Sequence, residues 1–224
     1  MELQFLIRKA LEEDLGSGDI TTNALVDPRD QATAEICAKQ ELVLAGLDVA
    51  KEVFATLDSH LVWKLVKKDG DIIKKGECVA TVQGATVTLL KGERTALNFL
   101  QHLSGVATLT RQFVNKIEGT NAKILDTRKT LPGWRTLEKY AVRMGGGGNH
   151  RAGLFDRYLI KNNHIAHAGS VSEAIEKVLR QKIQGMLVEV EVQNKKELQE
   201  ALKYPIDIIL LDNFLPDQIR EAIL

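Results

Sequence analysis

Residues 126–161 read DTRKTLPGWRTLEKYAVRMGGGGNHRAGLFDRYLIK, and their reading decides the fold. Eight Lys and Arg stand against three Asp and Glu in these 36 residues, although the whole chain carries 30 of each sign. Positive charge has been gathered here. The stretch follows a short apolar segment, Lys123-Ile124-Leu125, and turns polar at Asp126-Thr127-Arg128-Lys129. It then runs through a helix-like segment to Gly145–Gly148, Asn149, His150 and Arg151, and closes on Tyr158-Leu159-Ile160-Lys161. Arg meets carboxylate or phosphate through a planar fork and Lys as a point charge. Several of them on separate elements, with glycines between, suggest a substrate bearing many negative groups.

The rest of the composition makes that site local. A formal net charge of zero and a pI near 7.0 argue against a nucleic-acid binder held by its overall field. With 224 residues, 44% of them hydrophobic, the chain has enough apolar surface for one large core or two ordinary ones. Cys37 and Cys78 lie far apart in sequence and in no zinc-ligand pattern, so neither a disulfide framework nor a zinc site is expected, and a reducing cytoplasm fits. No run of eighteen apolar residues suggests a membrane span. The first fifteen residues alternate apolar and charged positions rather than forming a signal peptide's apolar core.

Leu3, Leu6, Ile7, Ala10 and Leu11 make one apolar helical stripe that Gly16 and Gly18 should end. The turn Asp14–Thr22 reads as a helix cap and loop without a catalytic role. From Ala32 to Gln83 the pattern becomes short strands, at 34–38, 42–45, 61–66 and 78–82, with a helix over 48–57. Residues 66–84 look like the paired-turn segment of biotinyl and lipoyl carrier domains. No Met-Lys-Met is present, and a structural sheet is the better reading. A long helix follows over 92–118, with a break or kink expected at Ser104-Gly105; Arg94, in its first turn, reads by itself as a solvated surface group.

Beyond Gly119 apolar strands at 122–125, 158–160, 186–192 and 206–211 alternate with helices at 136–144, 170–181, 195–203 and from Pro216. Such alternation implies a parallel sheet closed or partly closed into a barrel. Polar residues cluster at the strand ends: Asp126 to Lys129, then Lys161, then Glu189 and Glu191, then Asp212 and Asn213. In βα barrels chemistry sits at that face. Glu191 and Asp212 could pair structurally with Lys161 and Lys129, or hold Mg2+ or ribose hydroxyls. The glycine run matches neither the Walker nor the dinucleotide pattern. Its expected task is to bend and bring His150 and Arg151 over the pocket. His60 and His102 read as structural, and His164 is left open.

Seven motifs carry a resemblance across nearly the whole chain: DLGSGDITT (14–22), GERTALN (92–98), DTRKT (126–130), GGGGNHR (145–151), KNNH (161–164), VEV (190–192) and LDN (211–213). In that order they resemble the quinolinate phosphoribosyltransferases. The resemblance implies an N-terminal α/β sandwich domain over 1–106 and an open α/β barrel over 107–224. It implies a homodimer in which Arg94 reaches the neighbouring site. Quinolinate carboxylates would be met by Arg94, Arg128, His150, Arg151 and Lys161, and pyrophosphate by Lys129. Glu191 and Asp212 would hold the ribose of phosphoribosyl pyrophosphate (PRPP) and its Mg2+. The product would be nicotinate mononucleotide, made in the cytoplasm during NAD synthesis. The family's barrel continues beyond the helix starting at Pro216, so a barrel lacking its 5′-phosphate loops is expected for a sequence ending at Leu224. The alternatives are a molybdenum-transport-associated paralogue with another substrate, or a chain that only binds carboxylate ligands.

Overall fold

The computed structural model describes residues 3–223, which group into two compact units, Met1–His150 and Arg151–Leu224. The first unit opens with α1 (Leu3–Leu15), and Gly16, at φ +49°, ends it as expected. Asp19 then caps α2 (Ile20–Leu25), accepting from the amides of Thr21 and Thr22 at 3.1 and 2.9 Å. The hydroxyl and amide of Thr22 hold this carboxylate below its ordinary pKa.

Next come β1 (Gln31–Cys37), β2 (Leu42–Val43), α3 (Leu47–Leu57), β3 (Val62–Leu65), β4 (Ile72–Ile73) and β5 (Cys78–Ala85). β1, β5 and β3 form an antiparallel sheet in that order, and β2 pairs with β4. Along β1 exposed residues alternate with half-buried ones, as a sheet with one face on a core requires. The paired-turn segment over 66–84 has two tight turns: Asp71 N donates to Lys68 O at 3.1 Å and Glu77 N to Lys74 O at 3.1 Å, with Gly70 and Gly76 at positive φ. Asp69, in the first turn, receives the amides of Gly46 and Leu47 at 2.8 and 3.1 Å and so caps α3 from a distance.

α4 (Thr86–Lys116) differs from expectation in two ways. It begins six residues before Gly92, which moves Arg94 from the first turn to the third. It also passes through Ser104-Gly105 unbroken. The small polar residues there dock another strand: Ser104 Oγ accepts from Ala45 N at 3.1 Å and Thr108 Oγ1 from Val43 N at 2.9 Å. α5 (Arg135–Met144) packs on α4, with Trp134 stacked on Phe99 at 4.6 Å between ring centroids. The boundary expected at 106/107 falls within α4.

The second unit contains β6 (Tyr158–Ile160), α6 (Asn162–Ala168), α7 (Val171–Arg180), β7 (Val188–Val192), α8 (Lys195–Ala201), β8 (Ile208–Leu211) and α9 (Pro216–Ile223). Its strands form a parallel sheet with β7 central. Tyr158, Ile160, Val188, Val190, Val192, Ile209 and Leu211 share one face and pack with α7 and α8 residues such as Ile175 and Leu198. Leu159, Lys161, Glu189, Glu191, Leu210 and Asp212 therefore fall on the other face.

The strand expected over 122–125 is absent: among the described residues this segment makes one parallel bridge, Leu125 to Gly148. A chain bonded at one point has no ladder to extend it into a strand. No described helix is long and apolar enough to cross a membrane.

Candidate active site

In the second unit the site grows from sheet register. Ile160 is opposite Val190, so the next residues up, Lys161 and Glu191, stand side by side, and Lys161 Nζ lies 3.6 Å from Glu191 Oε2. Glu191 is opposite Leu210, which puts Asp212, two residues on, at the same face of the neighbouring strand. Asp212 N donates to Val192 O at 2.9 Å, fixing the end of β8. Asn213 then turns away at φ +58°, the one described non-glycine residue in the left-handed region and a residue type that tolerates it. Lys161 is also the N-cap of α6, and its amide donates to His164 Nδ1 at 2.9 Å. His164, left open above, holds the backbone of a site lysine.

Two acids and two arginines below this mouth have structural duties. Glu189 is 2% exposed and accepts from Arg157 Nη1 at 3.1 Å. Arg151 is buried, with Nη1 donating to Arg157 O at 3.4 Å. Desolvation raises the Asp156 pKa, but the amides of Ala152 and Gly153, at 2.6 and 2.9 Å, outweigh it and leave the carboxyl below its usual range; Arg151 adds to the lowering.

In the first unit the site residues sit on loops fastened through one carboxylate. Asp126 is ion-paired to the ammonium of Lys139, both side chains being 7% exposed. Asp126 Oδ1 also accepts His150 N at 2.8 Å, and Lys139 Nζ donates to His150 O at 2.9 Å. A buried pair thus joins the loop carrying Arg128 and Lys129 to the loop carrying His150. Lys129 is exposed, whereas the Nε of Arg128 is buried and has no hydrogen-bond partner among the described residues. Buried donors are rarely left unpaired, and Arg111 Nε is the other such atom among the described residues.

The glycine run does more than bend. Gly146 is at φ +90°, but a Cβ on Gly145 would lie 2.4 Å from Ala107 O and 2.6 Å from Thr110 Cβ. The glycines let this loop press against α4, a use that sequence spacing does not announce. Sequence reasoning also missed Lys139 as a functional support. A lysine within a charged helix has no pattern separating it from a solvated one, and only its burial reveals the role.

Arg94 is exposed on α4 and has no partner among the described residues. His60 is exposed beside Asp58, while His102 bonds Glu138 Oε1 at 2.8 Å and abuts Trp134, both structural as read. No group of three or more His, Cys, Asp or Glu among the described residues forms a preformed metal cage.

Each unit is built from α/β elements: in the second, strand ends set Lys161 beside Glu191 with Asp212 on the neighbouring strand, and in the first, glycine-bent loops carry Arg128, Lys129 and His150, residue types suited to anionic substrates. Comparison with known proteins makes the class specific. Residues 19–104 match the model of the quinolinate phosphoribosyl transferase N-terminal domain, and residues 106–224 match that of its C-terminal domain. The chain is 44% identical over 220 residues to a probable nicotinate-nucleotide pyrophosphorylase [carboxylating] of Bacillus subtilis, covering 98% of this chain and 76% of the relative. It is 45% identical to the Mycobacterium leprae nicotinate-nucleotide pyrophosphorylase [carboxylating], covering 97% and 77%. The crystal structure of NadC from Streptococcus pyogenes superposes with a TM-score of 0.95 at 43% identity, covering 99% of this chain and 78% of that one. The chain belongs to the quinolinate phosphoribosyltransferase family.

Proposed function

We infer that this chain transfers the phosphoribosyl group of PRPP to quinolinate with loss of CO2, giving nicotinate mononucleotide and pyrophosphate for NAD synthesis. Family membership supports the reaction, and the unpaired Nε of Arg128 is the observation offered for the site assignment. Quinolinate presents two carboxylates, and a buried Arg donor in want of an acceptor suits one of them. Arg151 and Lys161 supply further positive groups and His150 an imidazole, and Lys129, which is exposed, takes the pyrophosphate side.

Glu191 and Asp212 take the ribose hydroxyls. Two carboxylates on adjacent strand ends also fit Mg2+, which is commonly held by one or two carboxylates with substrate phosphates and water. When bound, the ion would neutralise pyrophosphate charge. Lys161, 3.6 Å from Glu191, keeps that carboxylate placed opposite the ribose. Cations on the quinolinate carboxylates fix the pyridine nitrogen against ribose C1, so the site works by positioning reactants and stabilising developing charge. Once the ring nitrogen is ribosylated the ring is a cationic electron sink, and the adjacent carboxylate leaves as CO2.

Arg94 serves the site of a partner subunit in a homodimer. Its exposed place on α4, without a partner among the described residues, supports that role. The domain division at 106/107 and a cytoplasmic setting go with this reading. The test is a product assay: purified chain, quinolinate, PRPP and Mg2+, following nicotinate mononucleotide, with nicotinate replacing quinolinate as control. Product from quinolinate alone is expected. Equal product from nicotinate would refute the assignment of the second carboxylate's binding groups.

A further inference from the structure

Cys37 and Cys78 are 41 positions apart in sequence, yet β1 and β5 set them directly opposite each other as register partners. The register shifts just here, leaving Val79 as the extra residue of a bulge between Ile36/Ala80 and Cys37/Cys78. Ala38 N donates to Glu77 O at 2.9 Å, one residue beyond each cysteine, so the pair is of the non-hydrogen-bonded kind. In such pairs the Cα atoms approach to about 4.5 Å, with the side chains on one face, inside the range that a disulfide spans. Both thiols are free, Cys37 exposed and Cys78 half-buried. Cys37 also lines a groove of ≈ 360 Å³ together with Lys39, Gln40, Leu97, Gln101 and Gly105, so a small oxidant can reach it.

We propose that Cys37 and Cys78 form a dithiol modification site, closed to an intrachain disulfide by a small-molecule disulfide such as oxidised glutathione and reopened by thiols. The Cys37 sulfur attacks the oxidant's S–S bond and releases one thiolate. The Cys78 sulfur then attacks the Cys37 sulfur of the mixed disulfide and releases the second. The two protein protons pass to the departing thiolates, so two protein thiols are oxidised while one small disulfide is reduced to two thiols. Closure locks the bulged end of β1 to β5 beside the groove along α4. Local desolvation, with the neighbouring Cys78 sulfur, pushes the Cys37 thiol above its ordinary pKa, so closure is slow at neutral pH and accelerates as pH rises. Within the cell, disulfides of this sort are transient and redox-sensing rather than structural.

The test incubates the purified chain with oxidised glutathione at alkaline pH, then measures free thiols under denaturing conditions, intact mass, migration on non-reducing gels and melting temperature. The expected product has lost both thiols and two hydrogen atoms of mass, migrates as a single chain, and melts roughly 5–10 °C higher until dithiothreitol is added. Cys37→Ser and Cys78→Ser should each stop with at most one glutathionyl adduct and no stabilisation. A wild-type chain that keeps both thiols, stops at the mixed disulfide, or links to another chain overturns the proposal. Closure without a rise in melting temperature overturns the locking.

Discussion

Replacing Lys139 with Met keeps the aliphatic stem and removes the ammonium. The structure makes this a costly change, because Asp126 and Lys139 are both almost fully buried and the ammonium also donates to His150 O. Deleting one member of a buried pair leaves the other charge uncompensated, at about 3–5 kcal/mol. Asp126 retains the amide of His150 and the side-chain amide of Asn149, which places the expected loss near the lower end, about 3 kcal/mol. For a chain of this size that corresponds to a melting temperature lower by roughly 6–12 °C. Lys129→Ala is the control, since an exposed lysine of the same loop should change stability by less than about 0.5 kcal/mol. Thermal melting and quinolinate titration would be run on both variants. Lys139→Met should lower melting and weaken quinolinate binding together, because the pair anchors both site loops, whereas Lys129→Ala should slow turnover at unchanged melting. A Lys139→Met chain melting within 2 °C of wild type, or losing stability with quinolinate affinity intact, would refute the anchoring role; the 2 °C margin is about 1 kcal/mol or less.

Three further outcomes follow from the same geometry. Arg128→Ala should raise KM for quinolinate by roughly 10- to 100-fold, the worth of one charge-assisted hydrogen bond, with little change in melting; unchanged affinity would reject the assignment. Gly145→Ala should cost about 1–3 kcal/mol in thermal or denaturant unfolding, because its Cβ would meet Ala107 O and Thr110 at sub-van der Waals distance, and a neutral result would mean the loop stands off α4. Arg94→Ala and Lys161→Ala chains, each inactive alone, should recover roughly a quarter of wild-type activity when unfolded and refolded as an equal mixture, since half the dimers are then mixed and each holds one intact site. No recovery would place Arg94 outside the partner's site.

The fold was legible where local pattern and tertiary demand coincide. The parallel strands after Arg151 are apolar runs of β-branched residues with helices between, and the structure has them with boundaries trimmed by about two residues at most. The run over 122–125 has no strand: Ala122, Lys123 and Leu125 are exposed, and only a neighbour with matching register turns such a run into a ladder. Ser104-Gly105 failed in the opposite sense: both residues are poor helix formers, yet Ser104 and Thr108 bond the backbone at Ala45 and Val43, and that docking outweighs propensity.

The same division separates the site residues that sequence could name from those it could not. Lys161, Glu191 and Asp212 are legible because a strand's end is a position, and charge at several strand ends in one chain is a pattern. Arg128 and His150 are legible as a cluster, but nothing in their spacing says what holds them. The holding group is Asp126 with Lys139, two ordinary charged residues thirteen apart whose meaning depends on being nearly dry. Burial raises the stakes of that pair: intact, it fixes two loops at once, and broken, it leaves a nearly buried charge without its counter-ion. The site therefore has two kinds of dependence on sequence. The groups proposed to touch substrate should be changeable with the fold intact, while the Asp126–Lys139 pair ties the geometry of the Arg128 and His150 loops to the stability of the chain.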